Sequence, residues 1–328
     1  MRKKTYVFRS SKANLLYDFI EEKQSLGFSY EGGADLLGML DRLWRNTTGQ
    51  TAPALNQEWA ERYIAMRPKE TSGVASHSRA CVWRELARFA LRRGFDAYIP
   101  DFLSTPAFKT PYTPFIYTRA QLFALFAAVD AMKPFFSWSP RRTWTMGLLY
   151  RLLYGAGLRL GEALNLRYCD FDVETGLLTI RKGKNQTTRV IPITASLVER
   201  MREHLRRFPD TTDTPFFRSP LRRNGWRTST VQVPFLAILR TANLPPRTNR
   251  QGPRIHDLRH TFAVHRLENW IRAGEDVNNK VHLLSVYMGH VNIGSTYYYL
   301  RVTQEMFPHI TARLNRKVGS IIPDEDTL

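Results

Sequence analysis

The segment from Leu283 to Tyr299 reads LLSVYMGHVNIGSTYYY, and in it Gly289-His290 stands nine residues ahead of Tyr299, the last of three consecutive tyrosines. Upstream lie Gly157-Leu158-Arg159-Leu160-Gly161-Glu162 and His256-Asp257-Leu258-Arg259-His260, so arginine, His-x-x-Arg, Gly-His and tyrosine follow in that order. Arginine suits a phosphodiester because its planar fork gives two hydrogen bonds to non-bridging oxygens and stays charged at any working pH. Two arginines would clamp one phosphate. A tyrosine hydroxyl, with a pKa of about 10, is a poor nucleophile at neutral pH. Its attack on phosphorus needs cations nearby and a group that receives the proton. In-line transfer also needs the charge on the non-bridging oxygens stabilised, which preorganised cations do without a metal ion.

Each motif alone has an ordinary structural reading. A single His-x-x-Arg serves capping or a helix surface, and Tyr297, Tyr298 and Tyr299 in a row suggest packing. The carboxylates Asp170 and Asp172 stand at a strand entrance, where a turn or cap fits better than a metal site. Number and order give the set its weight. On a helix, His256 and Arg259 are three apart and share a face, while Ile255, Leu258 and Phe262 point to the core.

These motifs resemble those of the tyrosine recombinase (phage integrase) family. The family's Gly-Leu-Arg-x-x-Glu signature is matched by Gly157, Leu158, Arg159 and Glu162, and its His-x-Leu-Arg-His signature by His256, Leu258, Arg259 and His260. Its nucleophile lies nine residues beyond the histidine of Leu-Gly-His, here Met288-Gly289-His290 with methionine for leucine, which designates Tyr299. The resemblance implies that Arg159 and Arg259 hold the phosphate while His256 and His290 assist by hydrogen bonding or proton transfer. It also implies a catalytic lysine on a hairpin ahead of an Arg-hydrophobic-hydrophobic-Pro strand. Lys184, eight before Pro192, takes that place, with Lys182 as the alternate and a DNA contact.

By the same resemblance the reaction cuts one strand, leaves a 3′-phosphotyrosyl link and a free 5′-hydroxyl, and rejoins to a partner strand without ATP, metal or cofactor. The implied partners are duplex DNA carrying specific recombination sites and further copies of the chain, a homotetramer on synapsed DNA assembled through the C-terminal helix. The likeness is specific over residues 117–317 and only architectural over 1–100, where a helical core-binding domain would close a clamp on the duplex. The fold class that follows is mainly α with a small antiparallel β-sheet (α+β), divided into residues 1–112 and a catalytic domain, 113–328.

The elements that must position these residues are legible in the hydrophobic pattern. Helices are predicted at 13–26, 34–46, 58–67 and 76–93. In the fourth, Val82, Leu86 and Phe89 make a core face and Arg84, Arg88 and Arg92 a stripe that suits phosphates as well as solvent. Four prolines between Pro100 and Pro114 block regular structure and mark a connector. Thr118 and Gln121 then have capping-box spacing at the head of a further helix. A buried helix over 143–154 ends at Gly155 or Gly157, so that Arg159 opens the next. Strands at 176–180 and 189–193 form a hairpin with Lys182 and Lys184 near its tip. A basic amphipathic helix follows at 195–207, then a loop to 227 whose Arg222, Arg223 and Arg227 suit either solvent or a DNA backbone. The last helices fall at 229–242, 256–271, 280–288, 295–300 and 303–317, ahead of the acidic tail PDEDTL.

Composition agrees with a polyanionic partner. With 48 Lys+Arg against 29 Asp+Glu, a net charge of +19 repels itself unless nucleic acid offsets it. Both halves of the chain are basic. At 328 residues, 43% hydrophobic, the chain suits two ordinary domains with real cores. Cys81 and Cys169 are the only cysteines, too few for a disulfide framework or a Cys-rich zinc site, and a reducing cytoplasm is the expectation. No apolar run has the length of a membrane span or the chemistry of a signal peptide.

Overall fold

The computed structural model describes residues 6–48, 54–65, 73–101, 113–132, 140–181, 188–218, 225–246, 252–290 and 294–306. Lys182, Lys184, Arg222, Arg223 and everything beyond residue 306 lie outside them. The chain divides into two compact units, Met1–Tyr112 and Thr113–Leu328.

In the first unit, α1 (Ala13–Ser25), α2 (Glu31–Thr48), α3 (Gln57–Ile64) and α4 (Val74–Arg92) surround a core that includes Leu16, Phe19, Leu37, Trp44, Tyr63, Trp83, Leu86 and Phe89. Asn56 caps α3, its side chain accepting from Trp59 N–H. The helix stops at Ile64, three residues short of the pattern's end at 67, because α4 takes its last carbonyls. The fully buried Arg79 donates to the carbonyls of Ile64 (3.1 Å) and Ala65 (2.8 Å), and Ser76 Oγ donates to Ile64 as well. An arginine buried this deeply persists because helix-end carbonyls, otherwise orphaned, accept from it.

The arginine stripe on α4 is partly engaged by its own unit. Arg84 donates to the carbonyl of Pro100, and Arg92 pairs with Glu22 at 2.6 Å while lying over the Phe89 ring. Arg88, between them, is exposed.

The second unit begins with α5 (Arg119–Asp130), where Gln121 N–H donates to Thr118 Oγ1 and Thr118 N–H to Gln121 Oε1, the capping box its sequence spacing implies. Then come α6 (Pro140–Gly155), the short α7 (Leu160–Leu164), a single 3-10 turn at Tyr168–Asp170, and a hairpin of β1 (Leu177–Ile180) and β2 (Arg189–Pro192). The strands pair antiparallel, Leu177 opposite Pro192 and Ile180 opposite Arg189. Asp170 accepts from the N–H of Arg167 and pairs with Arg181, and Asp172 accepts from the N–H groups of Glu174 and Thr175, so both carboxylates close turns at the strand entrance. The segment after α8 (Ala195–Arg207) is not a purely solvated loop: Phe216 and Phe217 are fully buried.

Helices α9 (Thr228–Thr241), α10 (Asp257–Arg272), α11 (Val277–Met288) and α12 (Gly294–Met306) complete the unit. A core of α5, α6 and hairpin residues lies beside a second formed by Phe262, Val264, Leu267, Val281, Leu284, Met288 and Tyr299. The sequence pattern divides 295–300 from 303–317, whereas α12 runs unbroken from Gly294 to Met306. Nothing between them interrupts a helix: no glycine or proline intervenes, and Thr303 Oγ1 bonds back to the Tyr299 carbonyl at 2.8 Å, within the helix. Among the described residues no helix is long and apolar enough to cross a membrane.

Candidate active site

Three chain segments converge on the C-terminal end of α11. The last carbonyls of a helix lack intrahelical partners and carry its partial negative charge. Here each of three successive ones accepts from a different arginine: Tyr287 from Arg189 Nε (2.9 Å), Met288 from Arg259 Nη2 (2.8 Å) and Gly289 from Arg159 Nη2 (2.8 Å). The helix end thus fixes three guanidinium groups that would otherwise repel one another.

A single carboxylate completes the brace. Glu162, 7% exposed, accepts from Arg159 Nη1 (2.7 Å) and Arg159 N–H (3.0 Å), takes both terminal nitrogens of Arg189 (3.0 and 2.9 Å), and lies 3.8 Å from Arg259 Nη1. Burial opposes its charge, yet the hydrogen bonds from Arg189 and Arg159 hold its carboxyl at about 2. It is ionised at any working pH.

Two glycines permit this approach. Gly157 adopts φ +58°, and a Cβ there would lie 2.4 Å from the Phe262 ring; its carbonyl accepts from Arg259 Nη1 at 2.6 Å. Of the two glycines that end α6 in the sequence, Gly157 is the left-handed one. Gly289 closes α11 at φ +67°, and a Cβ there would meet Arg189 Nη1 at 2.6 Å.

The arginines differ in exposure. The Arg259 side chain is 2% exposed and that of Arg159 23%, so Arg259 forms the floor of the site and Arg159 its open edge. Burial and the neighbouring Arg159 bring Arg259 down to about 10, still charged at neutral pH.

Tyr299 reaches this site from the second turn of α12. It is 4% exposed, whereas Tyr297 is 43% exposed and Tyr298 half-buried, so of the three tyrosines the helix turns Tyr299 inward. Burial raises its pKa, and the charges of Arg259 and Arg159 oppose that rise. His290 packs beside it with ring centroids 5.9 Å apart, its Nδ1 2.7 Å from Thr296 Oγ1 on the first turn of α12. His256 stands just before α10 and makes no side-chain hydrogen bond among the described residues, its ring edge-on to His260 at 4.8 Å. Burial first, and Arg259 next, push His256 and His290 each down to about 4, so both rings are neutral at physiological pH.

The structure therefore gathers Arg159, His256, Arg259, His290 and Tyr299. Three further residues belong to the same cluster. Glu162 was visible as the last letter of Gly-Leu-Arg-x-x-Glu, and Arg189 as the first of the strand ending in Pro192. His260 is the third: its Nδ1 lies 2.7 Å from Tyr299 Oη. In the sequence it was visible as the last letter of His-x-Leu-Arg-His, four beyond His256, which on a helix returns it to nearly the same face.

Comparison with known proteins identifies the family. The family model described as the phage integrase family matches residues 118–306. A Sinorhizobium fredii protein named as an integrase/recombinase, y4rB, is 29% identical over 305 residues, covering 92% of this chain and 96% of its own. A second from that organism, y4rE, is 31% identical over 86% of this chain and 89% of its own. The tyrosine recombinase XerA of Pyrococcus furiosus is 33% identical over 51% of this chain and 54% of its own. Among solved structures, the Tn1549 transposon integrase with a circular intermediate DNA superposes with a TM-score of 0.61 at 18% identity, over 87% of this chain and 93% of that one. XerH recombinase on a palindromic difH substrate gives 0.62 at 16% identity, over 93% and 90%. With the family model spanning more than half its length, the chain belongs to the phage integrase family, the tyrosine recombinases.

Proposed function

We propose that this protein is a site-specific DNA recombinase that cuts and rejoins duplex DNA through a 3′-phosphotyrosyl intermediate. The observation that carries this reading is the convergence of a buried tyrosine hydroxyl with two braced arginines, Tyr299 with Arg259 and Arg159. A phosphodiester seated between the guanidinium groups has its non-bridging oxygens neutralised and its phosphorus presented to Tyr299 Oη. Because the cations are fixed by α11 and Glu162 beforehand, little reorganisation is spent at the transition state. Tyr299 displaces the 5′ oxygen, the new ester keeps the energy of the old one, and the 5′-hydroxyl of a partner strand reverses the step, so the scheme requires no ATP.

In this scheme Lys184 protonates the leaving 5′ oxygen, with Lys182 as the alternate. Arg189 roots that hairpin in the site, since it begins β2 immediately after the lysine segment and binds Glu162 and the Tyr287 carbonyl. The first unit serves as the other half of a DNA clamp through Arg84, Arg88 and Arg92, with Arg222 and Arg223 reaching the backbone from the second, and synapsed sites are held by a homotetramer. The relatives' names and the DNA-bound neighbours support a duplex partner.

The test is a covalent trap. Full-length protein is incubated with DNA from around its own gene and quenched with SDS, and the attached DNA is sequenced. A 3′-linked adduct at one recurrent sequence, with exchange of flanking DNA between two copies of it, supports recombination. Relaxation of supercoils without exchange would identify a topoisomerase, and duplex binding without adduct a regulator. Tyr299→Phe should abolish the adduct and leave duplex affinity within about twofold, because one hydroxyl and no phosphate cation is lost. A surviving adduct would move the nucleophile to Tyr298 or Tyr297.

A further inference from the structure

We infer that His260 is the group that takes the proton from the Tyr299 hydroxyl as the phosphotyrosyl bond forms. This rests on the recombinase reading above and adds to it the base that reading leaves unassigned among three imidazoles.

Geometry separates the three. His260 Nδ1 is 2.7 Å from Tyr299 Oη. That is the separation proton transfer needs. His290 turns its Nδ1 to Thr296 Oγ1 instead, and meets the tyrosine ring face-on rather than at its oxygen. His256 touches His260, not Tyr299, so it lies one ring further from the hydroxyl. The placement comes from the packing of α12 on α10: both residues sit on facing turns, and Tyr299 is buried against α10's first turns.

The electrostatics favour one direction for the bond. Arg259 and Arg159 act on Tyr299 as positive charges, so their N–H groups favour its lone pairs and its proton is left to point at an acceptor. His260 is such an acceptor because its ring is neutral. Burial, then His256, Arg259, His290 and Arg254, push it down to about 3. The neutral ring that accepts at Nδ1 carries its own proton on Nε2. Those groups face it from several elements, His256 at the head of α10, Arg259 on it, Arg254 ahead of that helix and His290 just past the end of α11, with Tyr299 on α12 opposite.

Substrate makes the ring a stronger base. A phosphodiester between the arginines brings a negative charge that offsets Arg259, one of the cations that hold His260 neutral, so His260 gains basicity when there is phosphorus to attack. As the Oη–P bond forms, the phenolic proton moves from Oη to Nδ1 and the P–O5′ bond breaks, its electron pair leaving on O5′, which takes a proton from the hairpin lysine. In rejoining, the incoming 5′-hydroxyl bonds to phosphorus and returns its proton to that lysine, while the Oη–P bond breaks and Nδ1 gives its proton back to Tyr299. One residue is base in the first step and acid in the second, as reversibility requires.

The experiment measures single-turnover adduct formation by the full chain on the duplex recovered from the covalent trap, for wild type, His260→Ala and His260→Asn, with duplex binding and circular dichroism alongside. His260→Ala should bind DNA normally and form adduct more slowly by about 10² or more. Its deficit should shrink by about tenfold per pH unit above neutrality, because tyrosinate then forms without a base, and added imidazole should restore part of the rate. His260→Asn, whose amide oxygen accepts the hydrogen bond but not the proton, should be as slow as the alanine variant. An asparagine variant with wild-type rate would overturn the inference and leave His260 a residue that orients the hydroxyl. So would an alanine variant with wild-type rate and pH profile. A wild type that forms no adduct on any DNA would instead overturn the recombinase reading, and this inference with it.

Discussion

Arg159 and Arg259 carry the same charge toward the same place, yet their surroundings predict different losses on substitution. Arg259 is 2% exposed and satisfies the buried carbonyls of Gly157 and Met288, whereas Arg159 is 23% exposed and donates to the Gly289 carbonyl and to Glu162, a carboxylate that Arg189 also holds. Arg159→Ala should therefore cut the cleavage rate by about 10² to 10³, the cost of losing one oxyanion donor, with little change in Tm. Arg259→Ala should lose at least as much rate and also unfold several degrees lower, since it strands two buried acceptors at about 1 to 3 kcal/mol each. Equal Tm losses, or loss of stability without loss of rate, would make the pair structural. At this scale the sequence was most readable where motif letters coincide with chemistry: both arginines, Tyr299 and His290 were identifiable. His260 was readable as a motif letter, not as a partner of Tyr299. Its contact with Tyr299 is made between α10 and α12, 39 positions apart, and no local pattern encodes that meeting.

The hairpin and α11 are joined by two side chains, Arg189 from β2 and Tyr287 from α11, and this is an element-level dependence. Arg189 holds Glu162 with two nitrogens and the Tyr287 carbonyl with a third, and Tyr287 Oη in turn donates to the Pro192 carbonyl at 2.9 Å. Arg189→Lys keeps the charge but cannot form the fork, so β2 should lose its register against the site while the fold survives. The expected result is slower cleavage with unchanged duplex binding. A substrate with sulfur for the bridging 5′ oxygen, whose leaving group needs no proton, should recover most of that rate if the hairpin's work is proton delivery. No recovery, with binding intact, would mean that Arg189 acts on the phosphate clamp instead. Element existence was legible from periodicity and caps, as Thr118 with Gln121 and the run before Gly157 illustrate. Element ends were less so. The end of α3 is set by Arg79 and Ser76 from another helix, and α12 continues through 301–302, where the pattern suggested a break, because a helix needs an actual interruption to stop.

For the whole molecule, charge and burial govern the response to solution conditions. A net +19 implies that binding to nonspecific duplex weakens steeply with salt, with a log–log slope of about 0.9 per phosphate neutralised. On α4 the exposed Arg88 should contribute more to that slope than Arg84 or Arg92, which already serve Pro100 and Glu22. Arg88→Ala should flatten it by about one contact, and an unchanged slope would remove α4 from the interface. Acid acts through the histidines. His204, fully buried among Tyr168, Phe208 and Phe216, makes no well-formed side-chain hydrogen bond among the described residues, and its contact with the Phe216 backbone only partly opposes the effect of burial. Burial, with Arg141 adding to it, brings it down to about 4, and His256, His260 and His290 are similarly depressed. Between the folded values and the unfolded value of about 6.5 the unfolded chain binds more protons, so stability falls as pH drops from 6.5 toward 4 and is insensitive to these rings above that window. His256, His260 and His290 line the Tyr299 cluster, and His265, also lowered by burial, packs on Tyr154, whereas His204 stands apart from both, which makes it the clean test. His204→Phe places a ring of similar size in an aromatic nest and removes two buried polar atoms. It should match or exceed wild-type stability at pH 7 and shed part of the acid sensitivity, with adduct formation unaltered. Chemical denaturation at pH 7 and pH 5 measures both. An unchanged pH slope would mean that the buried imidazole is not what makes the folded protein acid-labile.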